Sequence, residues 1–455
     1  MNGDTIAALA TVPGTSGIAV IRVSGSDAVE ISAKLCGKDL LDAKSHTAHF
    51  VKIKRDGGSI IDHAVATVML APNSYTGENV VEISCHGSMT PVKEILLLLT
   101  EYGARYAEAG EFTKRAFLNG KMDLSQAEAV LDIINSESEL ALSLGVNQLE
   151  GRLSEEINKI RDEVIYLSAM LGAEADFPEE GVSGISDEVI EEKISSCLVA
   201  LEKLIEGAKS GEMARDGIKT VIAGAPNTGK SSLLNLLVGR ERAIVTNIPG
   251  TTRDSIEEYI KLGHAHIKLI DTAGIRHTDN EVEKIGVGIA GQAVKDADLV
   301  LFVVDTGRKI NDEDRQALKL AENKKTVVIF NKIDIADAEA EKEYEKIFGN
   351  YKRVRISAKT GEGADGLKKV VSDMFDFQEI ESSKSAVIAN IRHIEAVKKA
   401  HKLIETAYND YRTGVPADFM AVNLSGAAEA LGEITGMSVS EEIVDRIFKE
   451  FCVGK

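Results

Sequence analysis

Cysteine is scarce. Cys36, Cys85, Cys197 and Cys452 stand far apart among 455 residues, with no CxxC pair. That spacing suggests neither a disulfide framework nor a zinc site, and it suits reducing, cytoplasmic surroundings. No run reaches the ~18 to 20 apolar residues of a membrane helix. The opening MNGDTIAALATVPG has no basic segment leading into a long apolar one. The expectation is a soluble cytoplasmic protein with no membrane partner. Basic residues are outnumbered, 53 against 72 acidic, giving a formal charge of −19. This argues against broad adhesion to nucleic acid and leaves room for a local basic face. The GxGxxG fingerprint of dinucleotide binding is missing. No long polar tract suggests extended disorder, and 44% hydrophobic residues supply cores for about three domains.

What is present centres on GAPNTGKSS, Gly224 to Ser232. It ends an apolar, strand-like run from Thr220 to Ala225 and opens a helix-like run from Leu233 to Val238. GxxxxGKS in that setting is a phosphate-binding loop: its glycines let backbone N–H groups turn inward around a polyphosphate at the positive end of a helix. Lys230 is suited to the β and γ phosphates. The Ser231 hydroxyl is suited to Mg²⁺, a hard cation that prefers oxygen.

Before this loop, Gly17 to Val23, Ala64 to Leu70 and Val80 to Ser84 read as strands and Pro91 to Tyr102 as a helix, together a compact α+β domain. Arg22, Glu82 and His86 lie within or just after these strands; each either faces a pocket or belongs to a solvated face. From about Asn119 the pattern turns helical. Leu149, Leu153, Ile157, Ile160, Val164, Leu167 and Leu171 form one apolar stripe, and Ile190, Ile194, Leu198, Leu201 and Ile205 a second. The turn DFPEEGVSG, Asp176 to Gly184, separates them. Strands alternate with helices from about Gly211 to Phe377, including His266 to Ile270, Val300 to Asp305, Thr326 to Asn331 and Arg353 to Ser357. Helical periodicity then returns at Ser385 to Tyr411 and Ala427 to Leu431. Ile443, Val444, Ile447, Phe448 and Phe451 mark a last amphipathic helix. Helical segments on both sides of one α/β module suggest an inserted domain.

Four further motifs serve the nucleotide. NKID, Asn331 to Asp334, follows a buried strand, and the Asp334 carboxylate can accept two hydrogen bonds from guanine that adenine cannot offer. SAK, Ser357 to Lys359 with Ala358 between, follows the next strand and can close over the base. DTAG, Asp271, Thr272, Ala273 and Gly274, supplies an aspartate near Mg²⁺ and a glycine N–H for the γ phosphate. GTTRD carries hydroxyls suited to the metal. GTP binding and hydrolysis follow from these four elements, which run GTTRD, DTAG, NKID, SAK along the chain. Where Ras-like proteins place a glutamine after DxxG, this chain has Ile275 and Arg276. Asp279, Glu281 and Glu283 are the nearest candidate carboxylates; from residue type alone, catalysis and an ordinary solvated surface stand equally open.

From Asp4 to Lys455 the chain resembles the tRNA modification GTPase family MnmE (TrmE), within the K⁺-dependent TrmE-Era-EngA-like GTPases. The resemblance is carried by DTIAALAT, GIAVIRVSG, PNSYTGENVVEISCHG, GEFTKRAFLNGKMDLSQAEA, the GTPase motifs and FCVGK. It implies an α/β and α architecture. An N-terminal α+β folate-binding and dimerisation domain spans 1–118, a discontinuous helical domain 119–210 and 379–455, and an inserted Ras-like P-loop GTPase domain 211–378. Two departures are Val453, where many relatives have Ile, and Ala225, where relatives often carry Arg; neither falls on a phosphate-contacting position.

The resemblance assigns roles that spacing does not. GTP contacts fall to Asn227, Thr228, Gly229, Lys230, Ser231 and Ser232 of the loop. They also fall to Thr246, Asn247, Ile248, Pro249, Gly250, Thr251 and Thr252 of the following segment, to DTAG, to Asn331, Lys332 and Asp334, and to SAK. Mg²⁺ is implied at Ser231 and Thr252. K⁺, in place of an arginine finger, is implied at Asn227, Thr251 and the backbones of Thr246 and Ile248. Glu283 matches the water-orienting glutamate, with Lys230 and Arg253 also catalytic. Arg22, Glu82, Lys121 and Lys455 are implied to hold 5-formyl-tetrahydrofolate. Cys452 is implied to face the folate and the target uridine, and is either a catalytic thiol or a structural residue.

The implied assembly is a homodimer, joining a flavin-dependent MnmG-like partner in a heterotetramer that acts on tRNA. The implied reaction, driven by GTP hydrolysis, gives carbon 5 of the wobble uridine an aminomethyl-type (carboxymethylaminomethyl) group from a folate one-carbon unit. The alternative is a K⁺-activated ribosome-assembly or regulatory GTPase without folate chemistry.

Overall fold

The computed structural model describes residues 3–55, 57–176, 187–241, 258–263, 265–270, 293–321, 324–375, 377 and 386–455. The chain divides into two units. One comprises Met1–Ile134, Val146–Leu201 and Ala396–Lys455, the other Asn135–Gly145 and Glu202–Glu395.

The first unit is built on a sheet of β1 (Ile6–Leu9), β2 (Ser16–Ser24), β3 (Thr47–Lys54), β4 (Ile60–Met69), β5 (Val80–Gly87) and β6 (Arg105–Tyr106). Its order is β3-β4-β5-β2-β1-β6, antiparallel except for β1 with β6. Alternation along β2 sends Ile21 and Val23 to one face, where helices Ala28–Cys36 and Met89–Glu101 cover them with Ile31, Leu35, Val92, Ile95 and Leu99. Each such side chain contributes about 1.5–3 kcal/mol on burial. The same period of two turns Arg22 to the opposite face, directly across from Glu82 on β5.

Beside that face, helix Glu111–Leu118 presents Arg115 to three acids. Its guanidinium donates to Asp4 Oδ1 at 2.8 Å, Glu111 Oε1 at 3.0 Å and Glu78 Oε2 at 3.1 Å. Removing one partner of a buried pair leaves the others uncompensated, so Arg115→Ala should cost on the order of 3 kcal/mol, read by chemical denaturation. Burial alone pushes the Glu111 carboxyl up. Hydrogen bonds from Arg105, the Glu108 N–H and Arg115 outweigh it, so the group sits below its ordinary 4.5. A carboxyl depressed on folding stabilises the fold above its unfolded pKa and loses that contribution as pH falls through the folded value. Stability should therefore decline below about pH 4.5, less so in Glu111→Gln.

Helix Arg152–Asp176 buries Leu153, Ile157, Ile160, Val164, Leu167 and Leu171 in one stripe. Leu149 belongs instead to the preceding helix Glu139–Leu149, because Gly151 at φ 86° interrupts the chain between them. The Pro- and Gly-containing turn beyond Asp176 lies outside the described residues. In helix Asp187–Asp216 the buried line runs Ile190, Ile194, Cys197, Leu201, Leu204 and Ala208. Leu198 and Ile205 fall half-buried beside it, since alternate steps of four and three track 3.6 residues per turn and the expected series drifts off it. The later helices are Ile391–Arg412, Ala417–Thr435 and Glu441–Lys449. Phe451 lies past the last of these, and packs on Phe448 with ring centroids 5.3 Å apart. No helix among the described residues is long and apolar enough to cross a membrane.

The second unit holds β7 (Ile218–Ala223), β8 (Glu258–Leu262), β9 (Ala265–Leu269), β10 (Leu299–Asp305), β11 (Thr326–Asn331) and β12 (Lys352–Ile356), in the order β12-β11-β10-β7-β9-β8. All neighbours are parallel except β8 with β9. β10 and β11 are buried along their whole length, as strands covered on both faces must be. Ser357 is the first residue past β12 rather than its last. The α/β and α architecture, with an α/β unit between helical segments, is as expected.

Candidate functional site

The phosphate loop, NKID and SAK meet where parallel strands end, the usual ligand position in such sheets. The phosphate loop leaves β7 and enters helix Lys230–Glu241. Asn227 adopts a left-handed φ of 62° and Gly229 one of 98°. A side chain at Gly229 is excluded, since its Cβ would sit 2.2 Å from Asn331 Nδ2. That amide donates to the Thr228 carbonyl at 2.8 Å, while Asn331 Oδ1 accepts from the Ala358 N–H at 2.9 Å. One buried asparagine thus ties the phosphate loop to the SAK segment. The Thr228 hydroxyl donates to the Ala225 carbonyl at 2.9 Å. Lys230 Nζ donates to the carbonyls of Gly224 and Ala225, at 3.0 and 2.8 Å. A polyphosphate in the loop offers this ammonium stronger, charge-assisted acceptors.

The end of the site expected to read the base is equally connected. Ser357 Oγ donates to Asp334 Oδ1 at 2.7 Å and accepts from the Thr360 N–H at 3.2 Å. The Ser357 hydrogen bond, helped by the charges of Lys359 and Lys332, holds the Asp334 carboxyl below its ordinary 3.8. At neutral pH it is an ionised acceptor, as recognition of two guanine donors requires. Lys332, at φ 65°, donates through Nζ to the Asn227 carbonyl at 2.8 Å and to Asp305 Oδ2 at 2.7 Å. Asp305 and Thr306 were missed by motif reading. Thr306 donates through Oγ1 to the Asn331 carbonyl at 2.8 Å, and an acid ending a wholly apolar strand was the available signal.

Asn227, Thr228, Gly229, Lys230, Asn331, Lys332, Asp334, Ser357 and Ala358 are therefore brought together. Ser231 and Ser232 open the loop's helix. Thr246 to Thr252, Arg253, Asp271 to Gly274, Asp279, Glu281 and Glu283 lie outside the described residues. Of the cation ligands the resemblance implied, Asn227 and Ser231 are described. Asn227 is exposed at the loop, and both residues carry side-chain oxygens, the donor type K⁺ and Mg²⁺ take.

A second polar cluster occupies the other face of the N-terminal sheet, around Arg22. Arg22 donates to Glu82 Oε1 at 2.9 Å, and its guanidinium lies 5.2 Å from the Tyr75 ring centroid and 5.5 Å from that of Phe112. The segment Cys452 to Lys455 runs beside them. The Lys455 carbonyl accepts from the Phe112 N–H at 3.1 Å, and Ala109 bridges to Val453. Gly454 is required there: at φ 99°, a Cβ would meet the Leu9 carbonyl at 2.2 Å. Burial, then the Arg22 charge, lowers the Lys455 pKa from its ordinary value, with Glu82 and Cys452 opposing. Lys121 instead donates to the Pro72 carbonyl at 3.1 Å, on the loop that carries Tyr75. Cys452 is exposed. His86 stands apart, its Nδ1 2.6 Å from Asp62 Oδ1.

A family model described as the MnmE helical domain matches residues 124–452, and another, GTP-binding protein TrmE N-terminus, matches residues 5–121. A curated relative from Clostridioides difficile, named tRNA modification GTPase MnmE, is 43% identical over 456 residues, covering 99% of each chain. One of the same name from Natranaerobius thermophilus is 42% identical over 458 residues, covering 100% of each. Among solved structures, the G domain of the T. maritima FeoB iron transporter is 31% identical with a TM-score of 0.25, spanning 34% of this chain and 97% of that one. With matches along both domain models and the full length of these relatives, the chain belongs to the MnmE family of tRNA modification GTPases.

Proposed function

We infer that this chain hydrolyses GTP to GDP and phosphate and, with a flavin-dependent MnmG-like partner, modifies carbon 5 of the wobble uridine in certain tRNAs. A formyl-tetrahydrofolate supplies the one-carbon unit of the carboxymethylaminomethyl-type group. The observation that carries the GTP half is Asn331, which binds the phosphate loop through one side-chain atom and the SAK segment through the other, beside an ionised Asp334. The folate half is supported by the Arg22–Glu82 pair lying against two aromatic rings with Lys455 in electrostatic reach. Such a face offers stacking and both charge signs to a pterin. The working assembly in this reading is a cytoplasmic homodimer that pairs with its partner as a heterotetramer. Deleting the gene and analysing tRNA nucleosides by mass spectrometry tests the whole; unchanged wobble uridines would sink it.

When bound, Mg²⁺ and K⁺ neutralise charge that develops on the phosphates. Ser231 and Thr252 would hold Mg²⁺; Asn227, Thr251 and the Thr246 and Ile248 backbones would hold K⁺. Exchanging K⁺ for Na⁺ at fixed Mg²⁺ should slow turnover at least about tenfold, as loss of one transition-state contact does. Equal rates in the two salts remove the cation from the mechanism. Glu283→Ala should depress the hydrolytic rate on the order of 10²-fold while GTP affinity is kept, the signature of a group acting in the transition state. Loss of affinity at an unchanged rate would make the glutamate a binding residue instead.

A further inference from the structure

The phosphate loop is held from outside at two consecutive carbonyls. Asn331 Nδ2 takes that of Thr228, and Lys332 Nζ takes that of Asn227, each at 2.8 Å. The second hold depends on a residue that belongs to no motif. Asp305, ending β10 and 8% exposed, accepts from Lys332 Nζ at 2.7 Å through one oxygen and from the Gly307 N–H at 2.9 Å through the other. The Gly307 hydrogen bond fixes the carboxylate, and the carboxylate fixes the direction of a long, otherwise flexible side chain. An ammonium distributes three donors, and here two have set targets, one on the phosphate loop and one on Asp305. The residue so gripped, Asn227, sits at φ 62°, a conformation uncommon outside glycine.

We propose that Asp305 is a positioning residue of the nucleotide site. By orienting Lys332 it holds Asn227 in its left-handed conformation, so that the guanine-recognition segment and the phosphate loop behave as one piece. This rests on the reading of the site as a GTP site, and its consequence for K⁺ rests on Asn227 as a cation ligand. With the clamp released, the Asn227 backbone relaxes and its side chain no longer stands where the loop presents it. Nucleotide is then lost faster, and more K⁺ is needed to reach full activity.

The test uses the full-length chain and two readouts. Asp305→Asn keeps the size of the side chain and removes its charge. Dissociation of a fluorescent N-methylanthraniloyl-GDP should quicken about tenfold or more, the loss of a charged hydrogen bond. The K⁺ concentration for half-maximal hydrolysis should rise several-fold, with the rate at saturating K⁺ within about twofold of wild type, as for a residue remote from the transition state. Asp305→Glu should recover part of both. Where the Asn variant does not fold, Asp305→Ser takes its place. Wild-type dissociation in either uncharged variant overturns the proposal, as does a Glu variant no better than Asn, which would mark a packing role. A wild-type enzyme indifferent to K⁺ removes the cation consequence only, since the dissociation rate judges the clamp independently. Failure of the wild-type chain to bind the fluorescent GDP removes the GTP reading itself, and the proposal with it.

Discussion

Asp334→Asn is expected to weaken GTP binding by roughly 10²- to 10³-fold and to shift the preference toward xanthosine triphosphate, because a site built to pair with a donor penalises its absence strongly. Ser357 Oγ already occupies one position on Asp334 Oδ1. The carboxylate's remaining lone pairs can serve the ring N–H and exocyclic amine of guanine. An amide in its place presents one donor to a base edge that offers only donors, and leaves a polar atom unpaired. Xanthine, with a carbonyl in place of the amine, matches the amide better. Competition of GTP and xanthosine triphosphate against a fluorescent guanine nucleotide measures the ratio. An unchanged ratio would mean that the base is read elsewhere.

Arg22→Ala should lower formyl-tetrahydrofolate affinity by on the order of 10- to 100-fold, the usual cost of losing a charged hydrogen-bonding partner. The substitution also leaves Glu82 without the guanidinium that pairs with it at 2.9 Å, and it uncovers the Tyr75 and Phe112 rings. It carries an internal check. Burial is the first cause of the lowered Lys455 pKa and the Arg22 charge the second. Removing that charge should therefore move the Lys455 pKa upward, toward its ordinary value, in an NMR titration of the lysine side chain. Unchanged folate binding together with a raised Lys455 pKa would keep the electrostatic geometry and discard the folate role. Lys121→Ala should have the smaller effect, because its ammonium is held on the Pro72 carbonyl.

Much of the nucleotide site was legible because its motifs are statements about local backbone. A glycine where a Cβ would strike Asn331, an asparagine in a left-handed turn and a lysine at a helix start leave the same trace in any chain that binds phosphates this way. The buried strands before NKID and SAK were legible for a related reason, since a strand covered on both faces must be apolar throughout. Strand and helix ends were less so: Ser357 falls outside β12, and Leu149 outside the helix whose stripe it was expected to join. Hydrophobic period shows which face is buried; a cap or a positive-φ glycine decides where an element stops. The stripe on Asp187–Asp216 shows a further limit, because Cys197 is small and was not counted among the apolar positions although the helix phase places it at the centre.

By itself, then, the sequence determined the order of the domains and the phosphate loop and set the expectation of guanine, all of which depend on residues close together in the chain or on strands that announce themselves by composition. Only the tertiary structure decided which distant groups meet. Arg22 finds Glu82 sixty positions away because strand pairing sets their register. Lys455 reaches the same face because Gly454 lets the chain pass close to the Leu9 carbonyl. Asp305 acquires a role because β10 and β11 end side by side, paired at Asp305 and Asn331. A periodic pattern can place such side chains on a face. The partner they find there is set by pairing register and close packing, and these arise from the folded chain as a whole.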